Sequence, residues 1–240
     1  MDQAEHALAI ARELDDPALL ARTLTACGIT AGQGYNAEVA GTYFTEAIGL
    51  ARAIGDRWRM SQILAWQANA ATMSGDPIAA RAAAEEGRDL ADAIGDRSSS
   101  LQCRSSLGWA QLIDGEVAVA VALFGAVVDE ADAAHDSFLK IASLMGLGIA
   151  LAYRGEVSGA RSATDAALEV AAELGEYFLG MGYATLSVAA LAGGDVAAAR
   201  DASEAAWRYF SPQPQLAAAQ RAFIGTEAAL AGGDLISARL

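Results

Sequence analysis

Leu90-Ala91-Asp92-Ala93-Ile94-Gly95-Asp96-Arg97 belongs to a pattern that returns along the chain every forty residues. Its acid falls at Asp16, Asp56, Asp96, Asp136 and Glu176. Five residues before each acid stands an alanine: Ala11, Ala51, Ala91, Ala131 and Ala171. Two residues before it stand Leu14, Ile54, Ile94, Ala134 and Leu174. Further into the unit Ala40, Ala80, Ala120 and Ala160 agree, and Ala199 joins them after a one-residue deletion. A second turn recurs as Gly75-Asp76, Gly115-Glu116, Gly155-Glu156, Gly194-Asp195 and Gly233-Asp234. A fixed period of this size marks a stack of structural repeats, each too small to bury its own apolar face.

Each unit divides at these two turns into halves with helical periodicity. The first half, A, runs for example from Ser98 to Asp114, and the second, B, from Glu116 to about Ala134. Leu101, Leu107 and Leu112 recur at helical spacing in one; Ala120, Phe124, Val127 and Val128 do so in the other. The Gly-acid pairs supply the punctuation. Glycine takes the left-handed conformation that ends a helix, and the acid caps the next helix or favours its positive end. Asp76-Pro77 adds a proline at the first helical position. Ile54-Gly55-Asp56, Ile94-Gly95-Asp96 and Leu174-Gly175-Glu176 are expected to turn in one way from B back to A. Gly28, Ala68, Gly108 and Gly148 share one column of helix A, which the Ala40 column is expected to face across a close backbone approach. The expected fold is an all-α, right-handed solenoid of antiparallel helix pairs. It forms one domain over 1–240, with units near 1–16 (partial), 17–56, 57–96, 97–136, 137–176, 177–215 and 216–240 (partial).

Composition agrees with this and excludes several functions. Apolar residues make up 54% of the 240, alanine supplies much of that share, and aromatics are only 7%. A core rich in methyl groups needs backbones packed close together. With 16 basic and 30 acidic residues the net charge is −14. An acidic surface of this size repels phosphate backbones and anionic membranes, so direct nucleic-acid or membrane contact by this segment is not expected. The longest apolar stretches, Ile141 to Tyr153 and Leu179 to Gly193, fall short of the ~20 residues a span needs. The acidic start is unlike a signal peptide, and Cys27 and Cys103 read as buried free thiols, so the expected location is the cytoplasm.

Gly108, Ala120 and Phe124 carry a family pattern: a small residue in helix A, an alanine twelve residues on and a large apolar residue four beyond. With the Leu107-Gly108 pair, they resemble the tetratricopeptide repeat. Leu24, Leu64, Arg104 and Leu144 stand where that repeat usually has an aromatic, and the unit is longer than the usual 34 residues. The long unit, with runs such as Ala79-Ala80-Arg81-Ala82-Ala83-Ala84-Glu85-Glu86-Gly87, resembles the repeat region of large ATP-dependent LuxR-type regulators, the MalT-like group. The resemblance implies a sensor or scaffold region of a bacterial transcription regulator. The parent would bind ATP and DNA through other domains, and the unfinished repeats at both ends fit such a fragment. The alternative is a free-standing adaptor for protein assembly.

No catalytic constellation stands out. There is no phosphate-loop motif, and Gly146-Leu147-Gly148 and Gly180-Met181-Gly182 read as helix-packing glycines. His6 and His135 are the only histidines, with no metal-ligand spacing, and His135 occupies a turn position held by Gly55, Gly95 and Gly175 in other units. The segment is expected to be non-catalytic, with no cofactor or metal of its own. In the resembling repeats the concave wall is lined by helix A positions just off the packing column. Carried over by register, these are Arg22, Thr25, Gln62, Asn69, Gln102, Trp109, Met145, Ile149, Met181, Val188 and Phe223. They run from polar to apolar and imply a groove for a protein, an amphipathic peptide or a small effector. Trp66 is placed on the opposite face of helix A and read as packing. The scarcity of Lys and Asn argues against a clamp for a peptide's terminal carboxylate.

Overall fold

The computed structural model describes residues 2–34 and 36–210. All regular structure among them is α-helical. The chain divides into two compact units, Met1–Gly115 and Glu116–Leu240. The first holds α1 (Asp2–Glu13), α2 (Pro17–Gln33), α3 (Ala37–Ala53), α4 (Arg57–Met73), α5 (Pro77–Ile94) and α6 (Arg97–Ile113). The second holds α7 (Val117–Ala133), α8 (Ser137–Tyr153), α9 (Val157–Leu174), α10 (Glu176–Ala192) and α11 (Val196–Phe210). The even-numbered helices from α2 to α10 are the A halves of the repeat. In the first unit α4 packs against α3, α5, α2 and α6; in the second α8 packs against α7, α9 and α10.

The helix starts follow the acid pattern, with a distinction between the two acids. The side chains of Asp16, Asp56, Asp76, Asp96 and Asp136 accept backbone N–H groups at the starts of their helices, as does Asn36. Glu116 and Glu156 hold the same position without a side-chain cap. The shorter Asp side chain has the reach for the third backbone N–H, whereas Glu acts there only through its charge on the helix dipole.

Gly175 departs from the expectation. Gly55 and Gly95 turn left-handed, with φ 71 and 75, and are followed by a capping Asp. Gly175 has φ 114 and ψ −179 and is itself the N-cap, so Glu176 is already the first residue of α10. Helix α10 begins 39 residues after α8. The deletion therefore lies in this turn, where one glycine takes the place of a glycine and an acid.

His135 is the single described residue other than glycine with positive φ, at 55. The turn closes as its glycine counterparts do: the Asp136 N–H donates to Ala131 O at 2.9 Å and the His135 N–H to Asp132 O at 3.0 Å. An L-residue in this region costs roughly 1–2 kcal/mol, and glycine's extra freedom in the unfolded chain offsets ~0.5–1 kcal/mol of that. His135→Gly is therefore expected to raise stability by about 0.5 kcal/mol in urea unfolding. An unchanged or lower midpoint would show that the imidazole makes a compensating contact.

The core is built from Ala columns closed by a few large side chains. In the first unit Leu24, Phe44, Ala47, Ala51 and Ile63 form one cluster; in the second, Ile141, Leu144, Met145, Ala167 and Ala171 form another. The small-residue column meets more than the Ala column expected to face it. A Cβ on Gly28 would lie 2.7 Å from the Phe44 ring, four residues past Ala40, and one on Gly148 would lie 2.9 Å from Thr164 Oγ1 and 3.6 Å from Ala160 O. Successive repeats of the first unit are also joined by exposed ion pairs between B helices, Arg12 with Glu46 at 3.2 Å and Arg52 with Glu86 at 3.5 Å. Such pairs contribute little to stability, and the packing carries the stack. One buried polar link adds to it: the Ser61 hydroxyl shares its proton between Trp58 O (2.7 Å) and Asp96 Oδ2 (2.8 Å), tying α4 to the cap of α6.

Candidate functional site

A forty-residue step places Arg22, Gln62 and Gln102 at one register position of α2, α4 and α6, three A helices in sequence within the first unit. Seven residues on, 20° short of two full turns, Ile29, Asn69 and Trp109 continue the same face. Arg22 is exposed; Gln62, Asn69, Gln102 and Trp109 are half-buried. Arg22 therefore stands on the surface, and the other four are partly covered by their neighbours. Gln102 Nε2 is buried with no hydrogen-bond partner among the described residues, a donor removed from water without an acceptor. Thr25 is half-buried and donates to Ala21 O at 2.6 Å, so its hydroxyl is spent on its own helix.

The later positions sit differently. Met145 is 8% exposed, inside the cluster of Ile141 and Leu144. Met181 is half-buried against that cluster and against the one around Phe210. Ile149 and Val188 are half-buried, and Val188 packs beside Ala152, Ala160 and Ala189. Phe223 lies outside the described residues. Trp66 is not on the opposite face as expected: four residues from Gln62 is 40° around the helix, and the indole leans on the Phe44 cluster. Its reading as packing holds.

Periodicity gave no sign of one further feature. In the second unit a cavity of about 280 Å³ opens at the α7–α8 turn, lined by Asp132, His135, Asp136, Lys140, Glu169 and Glu173 among others. Lys140 Nζ donates to Asp132 Oδ1 at 2.5 Å, and this bond holds the Asp132 carboxyl below the usual carboxylate range. In the first unit Ser100 Oγ bridges to Asp92 Oδ1 at 2.6 Å across the α5–α6 turn, in the same register. The Lys140 pair is thus one version of a repeated turn brace. Among the described residues no three His, Cys, Asp or Glu side chains gather as metal ligands. No described helix is long and apolar enough to cross a membrane.

Helix pairs in a forty-residue period, closed by small-residue contacts and lined on the A helices by polar side chains, define the class: the fold is that of tetratricopeptide-like helical repeat proteins. The Rap protein complexed with Competence and Sporulation Factor superposes with TM-score 0.80 at 14% identity, over 97% of this chain and 65% of that one. NprR in complex with its cognate peptide NprX gives 0.75 at 11%, over 93% and 64%. The Signal Transduction ATPase with Numerous Domains protein with a tetratricopeptide repeat sensor from Pyrococcus horikoshii gives 0.62 at 17%, over 95% and 36%. In sequence the chain is similar to the "Putative HTH-type transcriptional regulator" Mb0914c of Mycobacterium bovis and its counterpart Rv0890c of Mycobacterium tuberculosis. Each is 59% identical over 86 residues, which is 36% of this chain and 10% of the relative's length. No family model matches the chain.

Proposed function

We propose that this chain is the sensor region of a bacterial LuxR-type transcription regulator of the MalT-like group, non-catalytic and without a cofactor of its own, working in the cytoplasm. A peptide or small effector would dock on the exposed face of the A helices. The row of Arg22, Gln62 and Gln102, at one register position of three successive A helices, is the observation that carries this reading, because polar side chains in line on one face can meet the polar groups of one extended ligand. The stretch of close identity to regulators named for a helix-turn-helix supports the regulatory part. The fold neighbours crystallised with a cognate peptide or with Competence and Sporulation Factor support the binding part. A stack of repeats transmits such an event when the ligand prefers one curvature of the stack over another, and the shift is limited to that difference in affinity.

The test is made in the full-length parent. Trp109→Ala is expected to weaken effector binding about tenfold or more, as loss of a half-buried aromatic contact does. DNA affinity without effector should remain as in the unaltered protein. A parent that binds no DNA, or one whose DNA binding is indifferent to every effector tried, overturns the regulator reading and leaves a protein-assembly adaptor.

A further inference from the structure

The cavity at the α7–α8 turn faces away from the row of A-helix positions described above. In α8 that register position falls on Ala142, and Lys140 stands two residues earlier, 200° around the helix. The turn departs from its counterparts at three positions, and all three line the cavity. His135 stands where other turns have Gly55 and Gly95, Lys140 where they have Met60 and Ser100, and Glu173 where they have Ala93 and Ala133. The other turns close without these changes, and His135 holds a left-handed backbone that glycine adopts more readily. Where a repeat breaks its own rule at several positions around one opening, the compensation is expected in function.

The charges lining the cavity do not balance. Asp132, Asp136, Glu169 and Glu173 are set against one lysine. Lys140 is engaged by Asp132, and Asp136 accepts the Leu139 N–H at 3.0 Å as the cap of α8. That leaves Glu169 and Glu173, exposed and one turn apart on α9, with no hydrogen bond or ion pair to a described residue. Like charges at this spacing repel, and a cation between them relieves the repulsion. An imidazole in its neutral form adds an acceptor nitrogen. Among the described residues no three such side chains gather closely enough for a metal ion, so the set suits a cation whose charge is carried on several N–H donors. The cavity's volume of about 280 Å³ equals roughly nine water molecules at about 30 Å³ each, room for a metabolite of about that many non-hydrogen atoms.

We propose that this cavity binds a small organic dication bearing guanidinium or alkylammonium groups. Glu169 and Glu173 each take one cationic end, and the His135 ring accepts one of its N–H groups. Lys140, held by Asp132, leaves both glutamates to the ligand. The site is separate from the A-helix face assigned to the effector, so either reading can fail without the other.

Equilibrium dialysis of the complete chain against labelled agmatine, which carries one guanidinium and one ammonium group, tests this at pH 8 in 0.15 M salt. The expected result is one saturable site with Kd below about 1 mM, with affinity falling about tenfold for Glu173→Ala and for Glu169→Gln. Glu204→Gln changes the net charge equally on α11, outside the cavity, and should leave binding unchanged. All three positions are exposed, so the variants should keep the unfolding midpoint. A capped peptide with one arginine and one lysine brings the same groups on a chain too large for the cavity, and should bind at least tenfold more weakly. A peptide that binds as tightly as agmatine would overturn the small-molecule occupant. No saturable binding up to about 10 mM, displacement by an equal concentration of magnesium, or the same loss with Glu204→Gln would overturn the site itself, the last two by showing only a diffuse counterion layer.

Discussion

Phe124→Ala is expected to cost the Glu116–Leu240 unit about 3–5 kcal/mol, the range for removing a fully buried Phe side chain. The ring is fully buried, and it lies against the backbone of α8. A Cβ at Gly146 would stand 2.4 Å from Phe124 Cζ and 2.5 Å from Cε1. The helices flanking this contact are held at their turns and by Ala columns, so the space left by the ring cannot easily close. Gly146→Ala alone should also destabilise. Overpacking of ~1–3 kcal/mol is offset in part by the ~1 kcal/mol that Ala gains over Gly within a helix. In the double variant the added methyl occupies space vacated by the ring. The two changes should therefore fail to add, with a coupling of at least ~1 kcal/mol in urea unfolding followed by helical circular dichroism. A loss under ~1 kcal/mol for Phe124→Ala, or additivity within ~0.5 kcal/mol, would mean that this contact does not hold the unit.

The role of Phe124 was legible beforehand, four residues beyond Ala120 in a repeated column. The forty-residue period also placed the helices and the left-handed glycines, because both follow from local periodicity and turn chemistry. Two kinds of feature were not open to that reading. The first depends on a few degrees of rotation. Gln62 and Trp66 are 40° apart on one helix and both half-buried, and the indole leans on the Phe44 cluster. A register read from residue columns fixes neither neighbour. The second arises where segments distant in sequence meet. The cavity at His135 needs Glu169 and Glu173 from α9, and the unpaired amide of Gln102 depends on what surrounds it. At Gly175 the acid column runs one residue past the cap, since Glu176 keeps the charge while the capping position falls on the glycine. Alignment by charge alone cannot separate a cap from a first-turn acid, because both suit the helix dipole.

Iodoacetamide at pH 8 is expected to reach Cys27 well before Cys103, and to reach Cys103 only when the Met1–Gly115 unit opens. Cys103 is fully buried, and a Cβ on Gly87 would lie 2.8 Å from its Sγ, so the thiol fills the contact between α6 and the backbone of α5. Burial pushes its pKa up to about 12. At pH 8 its thiolate fraction is then roughly a thousandfold below that of a free cysteine. Cys27 is also raised, first by burial and then by Glu5, but its Sγ is covered by α1, where it donates to Ala4 O at 3.4 Å. Fraying of one twelve-residue helix exposes it, whereas Cys103 needs α5 and α6 to part. The raised pKa of Cys103 also has a sign in stability. The folded state holds its proton more tightly than the unfolded chain, so the contribution is complete below about pH 9 and is lost as pH rises toward 12. The slope within that window approaches ~1.4 kcal/mol per pH unit. Cys103→Ala removes the titrating group, so the difference in unfolding free energy between the two proteins should narrow from pH 9 to pH 11. Equal labelling rates for the two thiols would show that α5 and α6 separate as readily as α1 frays, and parallel pH profiles with and without Cys103 would show that burial does not hold its thiol protonated.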